Sequence, residues 1–507
     1  MTRAARGRTE VHSVLLIMGN QLFPVASLPP PEGVLVFMAE DRELCTYFRF
    51  HKHKIILFLA AMRAWAEELT RLGYLVHYTR ITDDTPDPKP FEVKLREVLL
   101  ANPDAGLVHF EIEDKFMEGR IARLVRETGR KCLVKRSPMF MTSREEFSDY
   151  LKSVKKPFMK TFYEGRRKKL GILLNKDGTP VGGQWSFDAD NRERLGSDVK
   201  VPPLPKVKNG RHVREVAAAI DKLFPDHPGD SADFWLPVTA SNAGQWLDDF
   251  LEQRLGDFGR YEDAITPDHF ALFHSVLSPA MNLGLLTPDY VIKRTLEFAR
   301  TNKTPMNSLE GFVRQVIGWR EFIRGIYQNF SEKEDSTNFF GHKARLGAAW
   351  YKAETGLPPL DDALRKSLKF GWAHHIERLM IISCVMLLSG VAPEEVHRWF
   401  MEMYVDSSDW VMGPNVYGMG QFSDGGVFAT KPYVCGSNYV LKMSPYKKGP
   451  WCEVWDGLYW KFVAEKSPFL ARNPRLSMMV ASWKKMPAQR QKTLLKAADG
   501  FISSVCE

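Results

Sequence analysis

Four short apolar runs, over 14–18, 34–38, 74–78 and 107–112, alternate with stretches that carry the 3.6-residue period of an amphipathic helix. A run of that length without polar alternation suits a strand buried on both faces, and the helical stretch between two runs supplies the crossover that parallel strands require. The segment 1–140 is therefore predicted to be a doubly wound, parallel α/β domain. Its clearest helix is expected over 54–72, where Ile55, Leu59, Met62, Ala66 and Leu69 keep to one stripe and Gly73 ends it.

The pattern changes after that. Residues 141–230 read as a basic connector, with Lys152, Lys155, Lys156, Arg166, Arg167 and Lys168 followed by the proline-rich run 201–205. From 231 to 507 the periodicity is helical, which predicts an all-helical second domain; 507 residues exceed what one core organises. In that domain Asn307 can cap a helix, with Glu310 reaching back before the apolar face of Phe312, Val316 and Ile317. A second long helix is expected over 364–388, stopped by Gly390, and Pro393 opens the next.

The formal net charge of +9 points to an anionic partner, although a basic soluble enzyme would show the same balance. The six cysteines are scattered without CxxC pairs, which speaks against a disulfide framework or a zinc site and suits a reducing cytoplasm. The apolar run at 14–18 follows three arginines but is too short for a signal-peptide core or a membrane span, so no membrane partner is expected.

Four segments of the helical part carry groups that can do chemistry. His274-Ser275-Val276-Leu277-Ser278-Pro279 offers hydroxyls and free backbone N–H groups at a helix start, where a diphosphate can sit; alone it also reads as an ordinary helix cap. Gln315 and Trp319-Arg320-Glu321 place an amide and an arginine on an otherwise apolar helix, which equally describes one surface ion pair. In Ala373-His374-His375-Ile376-Glu377-Arg378, adjacent histidines on a helix point about 100° apart, so one at most enters a given cavity, and Arg378 returns to their side by i+3 and i+4 spacing. No HExxH or carboxylate cluster accompanies them, so no metal site is expected. The glycine-rich stretch around Asn415, from Pro414 to Gly426, can approach a flat heterocycle closely or form a plain structural turn.

Taken in this order within one helical domain, the four segments resemble the flavin-binding domain of photolyases and cryptochromes. The resemblance is strongest to the bacterial branch with an iron-sulfur cluster, the prokaryotic (6-4) photolyases. Gly19-Asn20-Gln21-Leu22, Met38-Ala39-Glu40, Gly182-Gly183-Gln184-Trp185 and Thr430-Lys431-Pro432-Tyr433 add to it, over about 14–485.

The resemblance implies FAD, its phosphates held by the segment matching His274, Ser275, Leu277 and Ser278, with Gln315, Arg320, Arg378 and Asn415 near the flavin. It implies an antenna, 6,7-dimethyl-8-ribityllumazine, in the amino-terminal domain near Asn20 and Glu40, with Asn20 standing where the branch has aspartate. His375, then His374, match the proton-transferring residues of (6-4) repair; Tyr433 and Tyr439 match the wall of the lesion pocket. Trp399, with Tyr351 or Trp350 further out, matches the electron route to the flavin, and Phe400 stands where a tyrosine is expected. Of four expected cluster thiolates only Cys452 is present, while Pro359, Lys447 and Pro450 mark the other places, so no iron-sulfur cluster is expected and Tyr446, Trp451 and Trp455 should pack that space. Met412 stands where an acidic residue near the flavin ring is expected.

The implied function is light-driven reversal of (6-4) pyrimidine-pyrimidone products in UV-damaged DNA by a cytoplasmic, nucleoid-associated monomer. The alternatives are a cryptochrome-like blue-light photoreceptor and a cyclobutane-dimer photolyase. A nicotinamide-linked flavin oxidoreductase is disfavoured by the absence of a GxGxxG fingerprint.

Overall fold

Each of the four apolar runs becomes a strand within two residues of its expected bounds in a computed structural model, which describes residues 10–81, 89–208, 210–474 and 476–507. The arginines that precede the first strand lie outside the described residues. Strand β1 (Ser13–Leu16) pairs in parallel with β2 (Val34–Ala39) on one side, and β2 with β3 (Leu75–Thr79). On the other side β1 pairs with β4 (Gly106–Phe110), and β4 with β5 (Cys132–Lys135). The order β3-β2-β1-β4-β5 winds outward in one direction, then reverses at β1, which makes the sheet doubly wound. β5 escaped the apolar reading because it is an exposed edge: Leu133 and Val134 face solvent.

One face of the sheet buries Val14, Leu16, Phe37 and Leu107 against Leu95, Leu99 and Ile121 of the crossover helices. The helix Lys52–Arg71 forms as expected, with Ile56, Leu59, Ala60 and Leu69 buried and Gly73 at φ +92° just beyond it, a conformation that favours glycine.

The described chain divides into two compact units: one holds Met1–Ser143 with Lys206–Leu247 and Leu277–Lys293, the other Arg144–Pro205, Asp248–Val276 and Arg294–Glu507. The stretch read as a connector is thus shared between them. Its 144–205 part belongs to the helical unit, where Arg167 is fully buried and donates to the carbonyls of Ile172 and Trp185 at 3.3 and 3.0 Å. Its 206–230 part belongs to the α/β unit, where Lys52 and Asp221 pair at 2.8 Å.

Two details of the helical unit differ from the sequence expectation. The helix Met306–Val313 has no side-chain cap. Glu310 is fully buried and accepts instead from the Tyr163 hydroxyl at 2.8 Å and the Phe187 N–H at 2.9 Å, while Asn307 donates to Asn191 at 3.2 Å. The expected helix over 364–388 is two pieces: Pro358–Phe370 ends at Gly371, whose φ of +62° closes it, and helical geometry resumes at His375. Pro393 does open the helix Pro393–Met403 at its first turn.

Close packing sets one sharp constraint here. Gly325 in the helix Glu321–Ser336 lies so near the Phe147 ring that a methyl group would overlap it, and Phe147 packs with Phe162 and Phe322 at centroid distances of 5.2 and 5.9 Å. Gly325→Ala is expected to destabilise the protein by about 1–3 kcal/mol through overpacking, despite the better helix propensity of alanine. A urea titration of the variant checks it; an unchanged midpoint would contradict the packing argument.

Candidate flavin and lesion site

Three segments of the helical unit adopt π-helical geometry: Arg314–Arg320, Glu377–Ser383 and Gly413–Gly420. A π turn admits one extra residue, so it rotates the following side chains off the α-helical stripe, and such turns recur at functional sites. These three carry Gln315 and Arg320, then Arg378, then Asn415, which are the residues the sequence reading assigned to the flavin. The last two segments are tied together: Gln421 donates to the Ser383 carbonyl at 3.1 Å and to its hydroxyl at 2.9 Å, and a side chain at Gly420 would collide with that hydroxyl.

Arg378 is held from several sides. Its guanidinium forms two parallel bonds to Asp406, at 2.9 and 3.1 Å, donates to the Ala373 carbonyl at 2.6 Å, and lies 3.9 Å over the Tyr404 ring. Asp406 and Tyr404 escaped the sequence reading because neither stands in a motif; they come to Arg378 across 28 and 26 positions of chain through the turn after Met403.

His374 is not on the helix, as the sequence reading had it; it immediately precedes the first helical residue, His375, because Gly371 ends the preceding helix early. His374 is buried and stacks on His274, with ring centroids 4.9 Å apart and planes 10° from parallel. His375 is accessible to water yet deep enough for burial to pull its imidazole down to about 4, with the Arg378 charge acting the same way. His274 is likewise pulled down to about 4 by burial, and its Nε2 has no partner in the protein.

The segment expected to hold phosphates lies in a turn with Leu272 and Val276 at φ +46° and +53°, strained values that a plain helix cap does not need. His274 and Ser275 belong to the helical unit; Leu277 caps the short helix Ser278–Leu283 in the other unit's stretch of chain. Gln315 donates to Glu262 at 2.6 Å and Asn415 to the Val411 carbonyl at 2.8 Å, so each amide retains its oxygen as the group to offer a ligand. The ring nitrogens of His274 and His374 left without hydrogen-bond partners among the described residues, near the fixed Arg378 guanidinium, fit a polar heterocycle with phosphates.

Tyr433 and Tyr439 are half-buried, and burial raises both phenols. Asp263, missed in the sequence, is raised to about 7 by burial and by neighbouring Glu262 and Asp188, with Arg192 3.8 Å away opposing them. Trp399 is fully buried in the helix Pro393–Met403 and packs on Phe400 and Tyr404 at 5.5 and 5.9 Å; Trp350 is fully buried and Tyr351 half-buried, both in the helix Ala348–Lys352. Met412 is buried. Tyr446, Trp451 and Trp455 form an edge-to-face row with centroids 6.4 and 6.0 Å apart, beside buried Cys452. Among the described residues no group of three or more His, Cys, Asp or Glu is arranged for a metal ion, and no helix is long and apolar enough to cross a membrane.

In the α/β unit Glu40 is buried and saturated. Its Oε1 accepts from Arg63 Nε at 2.6 Å and Tyr78 at 2.9 Å, its Oε2 from Arg63 Nη2 at 2.9 Å and the Ile81 N–H at 2.8 Å. It backs a cavity of about 420 Å³, also lined by His77, Thr79, Arg80, Lys94 and Asn102. Asn20 is at the switch point of the sheet instead, donating to Asp114 at 3.2 Å.

Comparison with known proteins agrees with this architecture. The family described as deoxyribodipyrimidine photo-lyase-related protein matches residues 15–236, and the FAD binding domain of DNA photolyase matches residues 312–442. The (6-4) photolyase of Agrobacterium fabrum is 33% identical over 504 residues, covering 96% of this chain and 99% of that protein. The deoxyribodipyrimidine photo-lyase of the same organism is 26% identical over 210 residues, 38% of this chain and 42% of that one. Among solved structures, a class III photolyase from Agrobacterium tumefaciens superposes with a TM-score of 0.58 at 15% identity, over 99% of this chain and 100% of that one. A cryptochrome from Synechocystis sp. PCC6803 gives 0.56 at 13% identity, over 96% and 94%. A doubly wound sheet unit with a helical FAD-binding unit defines a flavoprotein of the light-driven class. The chain belongs to the photolyase and cryptochrome family.

Proposed function

We propose that this protein is a (6-4) photolyase, returning (6-4) pyrimidine-pyrimidone products in UV-damaged DNA to intact bases. The observation that carries the reading is His375, an exposed imidazole at the start of its helix that its surroundings and the nearby Arg378 charge lower to about 4, three residues before the Arg378–Asp406 pair. FAD, when bound and reduced, supplies the light-driven electron donor. Gln315, Arg320, Arg378 and Asn415 would hold its ring, and His274, Ser275, Leu277 and Ser278 its phosphates. His375 moves the proton that (6-4) chemistry needs and a cyclobutane dimer does not; Tyr433 and Tyr439 wall the place of the flipped lesion. Lowered to about 4 by burial and by the Arg378 charge, His375 would gain basicity when anionic charge is bound beside it. Trp399, backed by Trp350 or Tyr351, is the internal electron source; Phe400 beside it has no phenol to lose a proton.

The full-length likeness to a (6-4) photolyase, against a partial one to a deoxyribodipyrimidine photo-lyase, supports the lesion choice. Glu40 has no oxygen left for a ligand, so an antenna of the ribityllumazine class would sit in the 420 Å³ cavity and bond to Thr79, Arg80 or Lys94. No iron-sulfur cluster is proposed, because Pro359, Lys447 and Pro450 stand where the resemblance expects three of its four thiolates.

The test illuminates the purified, reduced holoprotein with oligonucleotides carrying one lesion type each. Repair of the (6-4) product with cyclobutane dimers left intact is expected. Repair of dimers alone, or of neither lesion, would overturn the assignment, the latter in favour of a light receptor. Iron and acid-labile sulfide in the same preparation are expected at background; about four of each per chain would overturn the cluster-free reading.

A further inference from the structure

We propose that the buried pair of Lys366 and Glu377 is a positioning device that fixes His374 as its Nε2–H tautomer, leaving Nδ1 as a lone-pair acceptor. The inference rests on reading His374 and His375 as the proton-handling pair and assigns them different roles.

Lys366 is buried, and its ammonium donates to the Thr266 carbonyl and to Glu377 Oε1. That commits one oxygen of Glu377. The other, Oε2, is buried without a hydrogen-bond partner and lies 3.6 Å from Nε2 of His374. Neither ring nitrogen of His374 has a hydrogen-bond partner. A small ring rotation closes that gap to a hydrogen bond of about 2.9 Å, provided Nε2 carries the hydrogen. A carboxylate oxygen can only accept, so the geometry selects the tautomer.

The charge around the ring favours a single proton on it. Burial, with the charges of His274, Lys366, His375 and Arg378 beside it, holds His374 well below the ordinary histidine range; Glu377 is the acid 3.6 Å from its Nε2. Burial and nearby Asp362 push Glu377 up, whereas the Lys366 ammonium pulls it down, and it is this ammonium that keeps the carboxylate available as an acceptor. His374 is then a neutral ring with its single N–H spent on Glu377. It can accept a hydrogen bond through Nδ1 but has no proton to give, so donation to the lesion falls on His375.

Lys366 also makes the test decisive. In Glu377→Gln the ammonium still demands an acceptor, so the amide oxygen stays on Lys366 and the amide NH2 is turned toward His374 Nε2. That nitrogen must then present its lone pair, and the hydrogen moves to Nδ1. The experiment records long-range proton–nitrogen spectra of 15N-histidine-labelled holoprotein in the dark at pH 8, with His374 assigned by signals lost in His374→Asn. The expected result is Nε2–H in the parent, Nδ1–H in Glu377→Gln, and Nε2–H again in Glu377→Asp, which restores the carboxylate. Nδ1–H or a doubly protonated ring in the parent overturns the proposal, even if the variants do not fold, and so does one tautomer common to parent and Glu377→Gln. No DNA or light enters the measurement, so a failed repair assay leaves it standing. Conversely, a (6-4)-active protein with the wrong tautomer sinks only this inference.

Discussion

His375→Asn should lower (6-4) photorepair by about two to four orders of magnitude while FAD stays bound, because asparagine keeps a polar group of similar size but cannot carry a proton near pH 7. FAD retention is expected on structural grounds: the residue begins its helix, and the cation of the site, Arg378, is held by Asp406, the Ala373 carbonyl and Tyr404 rather than by the imidazole. His374→Asn should cost less if His374 only accepts. The pH dependence has a definite sign. Burial lowers the basicity of His375, so in the empty protein its charged form is lost above about pH 4, whereas an ordinary histidine keeps it to about 6.5. Activity that persists at neutral pH therefore requires bound anionic charge to raise that value, and repair should fall on the alkaline side as the raised value is passed. Flavin absorbance and turnover per bound flavin are read together. Parent-like turnover in a flavin-loaded His375→Asn would remove the imidazole from the mechanism.

The sheet was legible because strands buried on both faces leave continuous apolar runs, and β5 was not because its Leu133 and Val134 are exposed at an edge. Candidate residues were picked out of the sequence where they sit in a contiguous phrase, as His374-His375 and Gln315 with Arg320 do. What escaped was whatever depends on register or on distant chain. A π turn has no compositional mark, so the three turns that aim Gln315, Arg378 and Asn415 were read as ordinary helix or loop. Glu310 was read as a local capping group because its spacing from Asn307 fits one, yet it is recruited by Tyr163 and Phe187, more than a hundred residues away in sequence. Glu377 was quoted as part of the histidine phrase without a role, because its partner Lys366 lies on the far side of the helix break at Gly371.

Asp406→Asn is expected to have the largest effect on the fold of the site, at about 3–5 kcal/mol of stability with loss of bound FAD. The two side chains are 13% and 6% exposed, so solvent cannot replace the missing charge. The bidentate geometry means that one substitution breaks two charge-assisted bonds. Asparagine presents a single oxygen to a fork of two N–H donors and turns an NH2 toward the second, so the guanidinium stays buried with its charge uncompensated. Its remaining contacts, one carbonyl and the rings of Tyr404 and Trp372, compensate part of a charge but not a whole one. Arg378→Lys should be nearly as damaging despite the conserved charge, because an ammonium can neither form the fork nor lie flat on the Tyr404 ring. Urea unfolding of the flavin-free proteins isolates the stability effect, and flavin absorbance after purification reads the cofactor. If Asp406→Asn unfolds within about 0.5 kcal/mol of the parent and retains its full flavin, the pair is a surface ornament in energetic terms. Arg378 would then owe its position to the Ala373 carbonyl and the Tyr404 and Trp372 rings.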